Sequence, residues 1–282
     1  MNRFATGEAG LASGLTLLLG CFFAVALWEL FRPRRALQNP VAPRWLGNLA
    51  VYFINGALFA WLFPAPMEMT TRLEARLGIE LLHWPQLNYT ESLVVGVLLL
   101  DFLRYWMHRA FHVTPWLWRL HSLHHADSDL DVSTSFRHHP IEFTVGTGFF
   151  WILFVVMRFP PEVAAAYLLC TSILSCLQHG NISFSPAWET ALQKVIVTPE
   201  MHRIHHSTAA DEANSNFGFL FSFWDRLFAT HRQIVPKAHA RIQFGLTEFR
   251  NPSIWLMLLL PLLVRAAPPP LNDTPGHPDP AP

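Results

Sequence analysis

The chain of 282 residues is 51% hydrophobic and only 14% charged, and its 20 Lys and Arg are balanced by 20 Asp and Glu. Soluble domains carry about 25% charged residues, so the deficit points to a membrane protein, and zero net charge argues against a nucleic-acid partner. Eleven Trp and 23 Phe suit the aromatic belts of membrane interfaces. The length allows one large domain or two small ones. Its three cysteines, Cys21, Cys170 and Cys176, form no Cys-x-x-Cys pair and read as small buried hydrophobes.

Residues 1–9 are polar, and Leu11 to Phe31 is apolar for the roughly 20 residues that span a bilayer. Only Arg3 precedes it and no small-residue cleavage site follows, which predicts a retained helix rather than a signal peptide. Arg32, Arg34, Arg35 and Arg44 place the next loop on the cytoplasmic side. Trp45 to Phe63 is a second apolar stretch, closed by Pro64 and Pro66. In 67–90, Glu68, Arg72, Glu74, Arg76 and Glu80 among Leu and Met read as a short interfacial helix or a connecting loop.

Ser92 to Met107 is a third stretch, and it carries Asp101 and Arg104. Charges inside a span cost about 2.5–3.5 kcal/mol each on insertion scales, so both are expected to face protein. The stretch delivers His108 and His112 just past its end; Pro115 then breaks the helix, and a new one presents His121, His124 and His125. Residues 126–140 are polar, with Asp127, Asp129 and Asp131, and end in Phe136-Arg137-His138-His139-Pro140. Ile141–Met157 and Val163–Leu177 form a hairpin around Pro160-Pro161, followed by Gln178-His179-Gly180-Asn181. Residues 182–250 read as a cytoplasmic cap holding His202, His205 and His206. Ile254–Val264 is half a span long and reads as an interfacial or core helix, and the Pro-rich 266–282 reads as a disordered tail.

Three histidine clusters dominate this order: His108/His112, His121/His124/His125 and His202/His205/His206. Residues three or four apart share a helix face, roughly 5–6 Å from one another, so each cluster can aim two or three imidazoles at one point. Imidazole suits iron, zinc and copper. Zinc usually takes about four ligands, so this number of imidazoles fits two ions better than one. No His-Glu-x-x-His is present, and the one Glu-x-x-His spacing, Glu80 to His83, lies outside the clusters, unlike soluble di-iron bundles. Neutral imidazoles leave a metal pair strongly positive. Two ferrous ions there can give electrons to dioxygen and so attack a C–H bond of a lipid tail at the bilayer edge. A zinc-dependent lipid hydrolase and a membrane metal transporter are the alternatives; the first needs neither oxygen nor reductant, and the second places its ligands near the bilayer midplane.

The spacing His-x-x-x-His, His-x-x-His-His and a distal His-x-x-His-His resembles the fatty acid hydroxylase/sterol desaturase superfamily of integral-membrane di-iron enzymes. So do Arg137-His138-His139-Pro140-Ile141-Glu142, Gln178-His179-Gly180-Asn181, Asn216-Phe217-Gly218 and the run from Trp224 to Thr230, where Ala229 stands in place of the usual Gly. The resemblance covers about residues 92–231. It implies an all-α integral membrane protein, with about four transmembrane helices below a cytosolic helical cap that holds a histidine-rich dimetal site; the apolar pattern alone gives five stretches. It makes 1–265 one multi-pass domain and adds His179 as a further ligand. It implies two iron ions, with zinc as a substitute in purified material. The implied reaction is oxygen-dependent hydroxylation or desaturation of a lipid, with electrons from an external ferredoxin- or cytochrome-type donor.

Other residues carry paired readings. His139 is a ligand, a support behind the ligands, or a helix-start residue before Pro140, and His138 stands behind the ligands or at the surface. Asp101 and Glu142 either orient a ligand imidazole or make plain ion pairs, Asp101 with Arg104. Asn181 hydrogen-bonds near the metals or caps a turn. Trp116 and Trp118 read as headgroup anchors. His83, His231, His239 and His277 read as ordinary polar residues.

Overall fold

The computed structural model describes residues 8–63, 87–157, 161–234, 239–246, 249 and 252–264. The Pro-rich tail, His83, His277 and nearly all of the 67–90 segment lie outside them. The helices are α1 (Glu8–Phe31), α2 (Val41–Leu62), α3 (Tyr89–Val113), α4 (Pro115–His125), α5 (Pro140–Met157), α6 (Pro161–His179), α7 (Pro186–Leu192), α8 (Pro199–His205), α9 (Ala210–Ala213), α10 (Phe223–Leu227) and α11 (Ile254–Leu263), with single 3-10 turns at Val132–Phe136 and His239–Arg241. Among the described residues the extended pairing is limited to isolated bridges such as Ile196 with Phe221, so the helical expectation holds.

By length and composition, two of these helices can cross a membrane, over Ser13–Phe31 and Val41–Leu62; Pro140–Leu153 and Ile254–Leu263 are apolar but shorter. α1 is apolar on every side and leaves Leu15, Leu17, Phe23 and Leu27 exposed, which is how a helix surrounded by lipid reads. α3 opens on a capping box in which the Asn88 side chain accepts the Glu91 amide at 3.0 Å and Glu91 accepts the Asn88 amide at 2.9 Å. It runs six residues beyond the apolar stretch, so His108 and His112 sit on its last turns and not past its end. Pro115 opens α4, where its missing N–H is no loss.

The long helices alternate in direction and bring alternate ends to one polar layer. The C-terminal part of α1 enters it through Glu29, whose carboxylate accepts the amides of Val132 (2.8 Å) and Asn181 (2.6 Å). α2 enters by its start. Its buried residues are Arg44, Asn48, Val51 and Asn55, spaced four, three and four apart on one face. Arg44 forks onto Asp127 (2.9 and 3.0 Å) and reaches Asp131 (2.7 Å), and Asn48 donates to Asp127 and Ser133. All of these groups are buried, so losing Arg44 alone strands two carboxylates and is expected to cost about 3–5 kcal/mol. Against burial, the charges of Arg137 and Arg44 hold the Asp127 carboxyl down at about 2. The acidic 126–134 run is therefore a buried polar core clasped by α2 and not a surface loop.

Candidate metal centre

The histidine-bearing ends of α3, α4, α6 and α8 meet inside this layer. Their ligand atoms fall into two groups, His108, His112, His121, His125 and His205 in one and His124, His179, His202 and His206 in the other, with the atoms of each group within 4.8 Å of one another and every residue buried. The grouping cuts across the sequence clusters. His121 and His125 are four apart and share a face, whereas His124 is one residue from His125, about 100° round the helix, and points into the other group. In the third cluster His202 and His206 go together, and His205 goes to the first group. The two groups adjoin, and the His125 and His206 rings stack with centroids 4.4 Å apart.

Five of the nine rings are oriented from behind. His108 Nδ1 donates to the Phe217 carbonyl (2.9 Å), His205 Nδ1 to Ser215 (2.8 Å), His179 Nδ1 to Ser175 (2.8 Å) and His124 Nδ1 to Arg137 (3.2 Å), while His121 Nδ1 lies 2.7 Å from the Glu142 carboxylate. A proton held at Nδ1 leaves Nε2 as a bare lone pair facing the centre. Nε2 of His121, His125 and His205 and both nitrogens of His112 are buried without a hydrogen-bond partner among the described residues. In the second group the Nε2 atoms of His124 and His179, His179 and His202, and His202 and His206 lie 3.1, 2.9 and 3.1 Å apart. Burial, followed by neighbouring imidazoles, depresses His124, His125, His202 and His206 far below the ordinary imidazole range, and burial takes His205 to about 3. Unprotonated, convergent and unpartnered nitrogens are what a borderline transition-metal cation requires, so the residues present fit a pair of metal ions.

All nine expected imidazoles are brought together; the other expected site residues have different roles. His139 joins neither group. It precedes Pro140 at the start of α5, its Nδ1 accepts the Ile141 amide (3.2 Å) and its Nε2 donates to the Leu258 carbonyl (3.0 Å). His138 stands behind the ligand groups, stacked on His124 at 4.5 Å and bonded to Glu142 (3.1 Å). Among the described residues Asp101 touches no imidazole and does not pair with Arg104. Its oxygens accept from the Leu220 and Phe221 amides, Trp224 Nε1 and the Tyr167 hydroxyl, because the loop after α9 packs on that face of α3. Arg104 lies instead over the Phe219 ring at 4.3 Å. Asn181 closes the turn after α1 through two hydrogen bonds to the Arg35 backbone. Trp118 is buried against His112 and His125 (5.1 and 5.4 Å) rather than anchoring in headgroups, whereas Trp116 is exposed. His239 is more than an ordinary polar residue, since its Nδ1 lies 2.6 Å from Glu200.

Asp225 has a part that its sequence context left unread. It accepts the Phe217 and Gly218 amides (2.7 and 2.9 Å) and the Thr230 hydroxyl (2.8 Å), so it fixes the loop whose carbonyls hold His108 and His205. Burial pushes its carboxyl up to about 6 despite these donors. A Cβ at position 218 would stand 2.7 Å from the Asp225 carboxylate, which is why this close approach takes glycine.

The family model for fatty acid hydroxylase matches residues 93–230. An ornithine lipid hydroxylase of Rhizobium tropici is 28% identical over 183 residues, covering 64% of this chain and 54% of its own length. An alkylglycerol monooxygenase of Xenopus tropicalis is 29% identical over 152 residues (52% of this chain, 31% of its own length). A very-long-chain aldehyde decarbonylase of Oryza sativa subsp. japonica is 29% identical over 175 residues (56% and 26%). The chain thus spans about half or less of the length of these relatives. No solved structure matches it.

Proposed function

This chain belongs to the fatty acid hydroxylase family, and from that premise we propose that it is a membrane-bound di-iron oxidoreductase that uses dioxygen and external electrons to hydroxylate or desaturate a lipid. Its relatives support oxidation of a lipid. The observation that carries the finer reading is the pair of buried, all-imidazole groups. His108, His112, His121, His125 and His205 would hold one iron and His124, His179, His202 and His206 the other. When bound, the iron pair supplies the electrons that activate dioxygen for attack on a C–H bond.

The chain's own residues do the rest. Glu142 and the carbonyls of Phe217, Ser215, Ser175 and Arg137 keep the Nδ1 protons in place, so the Nε2 lone pairs stay directed inward. Trp118 and Phe217 close over His112 and exclude water from it. The bilayer would surround the apolar lengths of α1, α2, α3 and the α5–α6 pair. In a domain of residues 1–265, α1, α2 and α3 would each cross once, and the α5–α6 pair, with α5 apolar over only Pro140–Leu153, would enter and leave on the side of the metal layer; the family resemblance implies about four crossings. The arginines at 32, 34, 35 and 44 put the metal end in the cytoplasm, where a ferredoxin- or cytochrome-type donor can reach it. The reaction belongs to lipid biosynthesis.

Protein purified in detergent is expected to carry about two irons per chain, and lipid extracts of cells with and without the gene are expected to differ by a product one oxygen heavier or two hydrogens lighter. Product formed equally without dioxygen, or unchanged in His124→Ala, would exclude the assignment.

A further inference from the structure

We propose that the cavity between α2 and α11 binds the acidic head of a bilayer amphiphile, a carboxylate or phosphate ester, through Arg137. The cavity has a volume of about 520 Å³ and is walled by Leu46, Gly47, Ala50, Ile254 and Met257, with Arg137 and Arg44 contributing the charged part. That is the size of a small-molecule site, mostly apolar with a few polar groups.

Two independent features give it a polarity. Arg137 is only 1% exposed. Its Nε donates to the Leu123 carbonyl (2.9 Å) and its Nη1 to Asn48 (3.0 Å), but Nη2 is buried with no acceptor among the described residues. The nearest acid, Asp127, is already taken by Arg44, Asn48 and Thr134, so its charge offsets the burial of Arg137 without meeting its free donor. A buried guanidinium N–H left open is costly and rare, and an oxyanion would complete the fork. The second feature is the start of α11. Ser253 caps that ten-residue helix by accepting the Leu256 amide, and Ser253 and Ile254 both line the cavity. The positive end of the helix therefore adds to the same potential.

The occupant follows from the lining. Leu46, one of its walls, is 71% exposed on a helix long and apolar enough to cross the membrane, which suits an amphiphile whose chain lies along the apolar wall. Arg137 also carries the carbonyl that holds His124, so a head bound here would engage a residue that orients a ligand of the four-membered group. The binding claim itself does not depend on the metals.

The test is equilibrium binding of labelled oleate and oleoyl lysophosphatidate to the full chain in nanodiscs, with neutral mono-oleoylglycerol and inorganic phosphate as comparison probes. Both acidic amphiphiles are expected to bind one per chain and at least about tenfold more tightly than the neutral lipid, with phosphate failing to displace them. Arg137→Gln is expected to remove that preference. Because Arg137 also supports the fold, Ala50→Phe, which fills the wall and touches no polar group, is the second variant and should abolish binding of both. Equal affinity for the neutral lipid, displacement by free phosphate, or full oleate binding by Ala50→Phe would overturn the proposal. None of these readouts needs iron, so a failure here is separate from a failure of the oxidoreductase reading.

Discussion

In the five-membered imidazole group His121 is backed by the Glu142 carboxylate, and His108 and His205 by two carbonyls of one loop, 215–217; in the four-membered group His124 and His179 are backed by carbonyls alone. Each group draws on three helices, but among the described residues the first has no direct nitrogen-to-nitrogen contact of the kind that packs the second, at 2.9–3.1 Å. A carboxylate behind an imidazole makes it a stronger donor. The difference teaches that two sites of one ligand type need not hold their ions equally: the first is expected to bind iron more tightly, and the second to gain and lose it more readily.

The most severe way to break this comparison is to remove one ring from each side. His205→Ala and His202→Ala are each expected to bring lipid oxidation to background and metal content from about two ions per chain to one, measured by product mass spectrometry and elemental analysis. Activity surviving in one of them would mean that the two groups do not act as a unit. Next is pH. The folded-state pKa of His205, about 3, lies below the ordinary 6.5, and the other cap imidazoles shift the same way. The stability they contribute is therefore complete above about pH 6.5 and is lost as pH falls toward 3. Metal-stripped protein is expected to melt at steadily lower temperature over that window, and iron-loaded protein to resist further into acid. Identical melting of stripped protein at pH 7.5 and 4.5 would remove the buried neutral imidazoles from the account.

Glu142→Gln sharpens the contrast between the groups. It should weaken iron in the five-membered group by about 10–100-fold and leave the four-membered group unchanged, seen as one shifted phase in a chelator titration. Two shifted phases would tie Glu142 to both sites, through its bond to His138. The smallest effect is Ala229→Gly. Ala229 sits at φ 55° in the loop behind the five-membered group, a left-handed conformation that costs a side chain about 1–2 kcal/mol. Glycine there is expected to stabilise the fold by about 1 kcal/mol in denaturant melts, with both metal phases unmoved.

The histidine spacing made the centre legible, because i, i+3 and i+4 relations survive any packing of the helices. The sorting of the rings was not legible. Adjacent residues such as His124 and His125 belong to different groups, and only the docking of α8 against α4 and α6 decides which nitrogens meet. Helix existence was readable from apolar length, but the end of α3 was not, since a helix that passes into a buried polar layer needs no apolar residues to continue. Asp101 was misread and the 126–134 acids were left without partners for a shared reason: those partners, the 220–224 segment and α2, lie about 80 to 120 residues away, and no local pattern announces them. Arg44, Asn48 and Asn55 on α2 did carry a signal, a polar seam at helical spacing inside an otherwise apolar helix.

That seam has a consequence for biosynthesis. Asp127 lies 83 residues downstream of Arg44, and Arg137 lies 89 downstream of its partner Asn48, so if α2 crosses the bilayer as proposed, it would enter during translation long before anything exists to occupy its polar side. On that reading the first helical pair would be a provisional insertion, made permanent only when the 127–137 segment emerges and folds back across it. A chain cut short before residue 127 is expected to hold its second helix loosely in the membrane, however apolar that helix looks on a hydropathy plot.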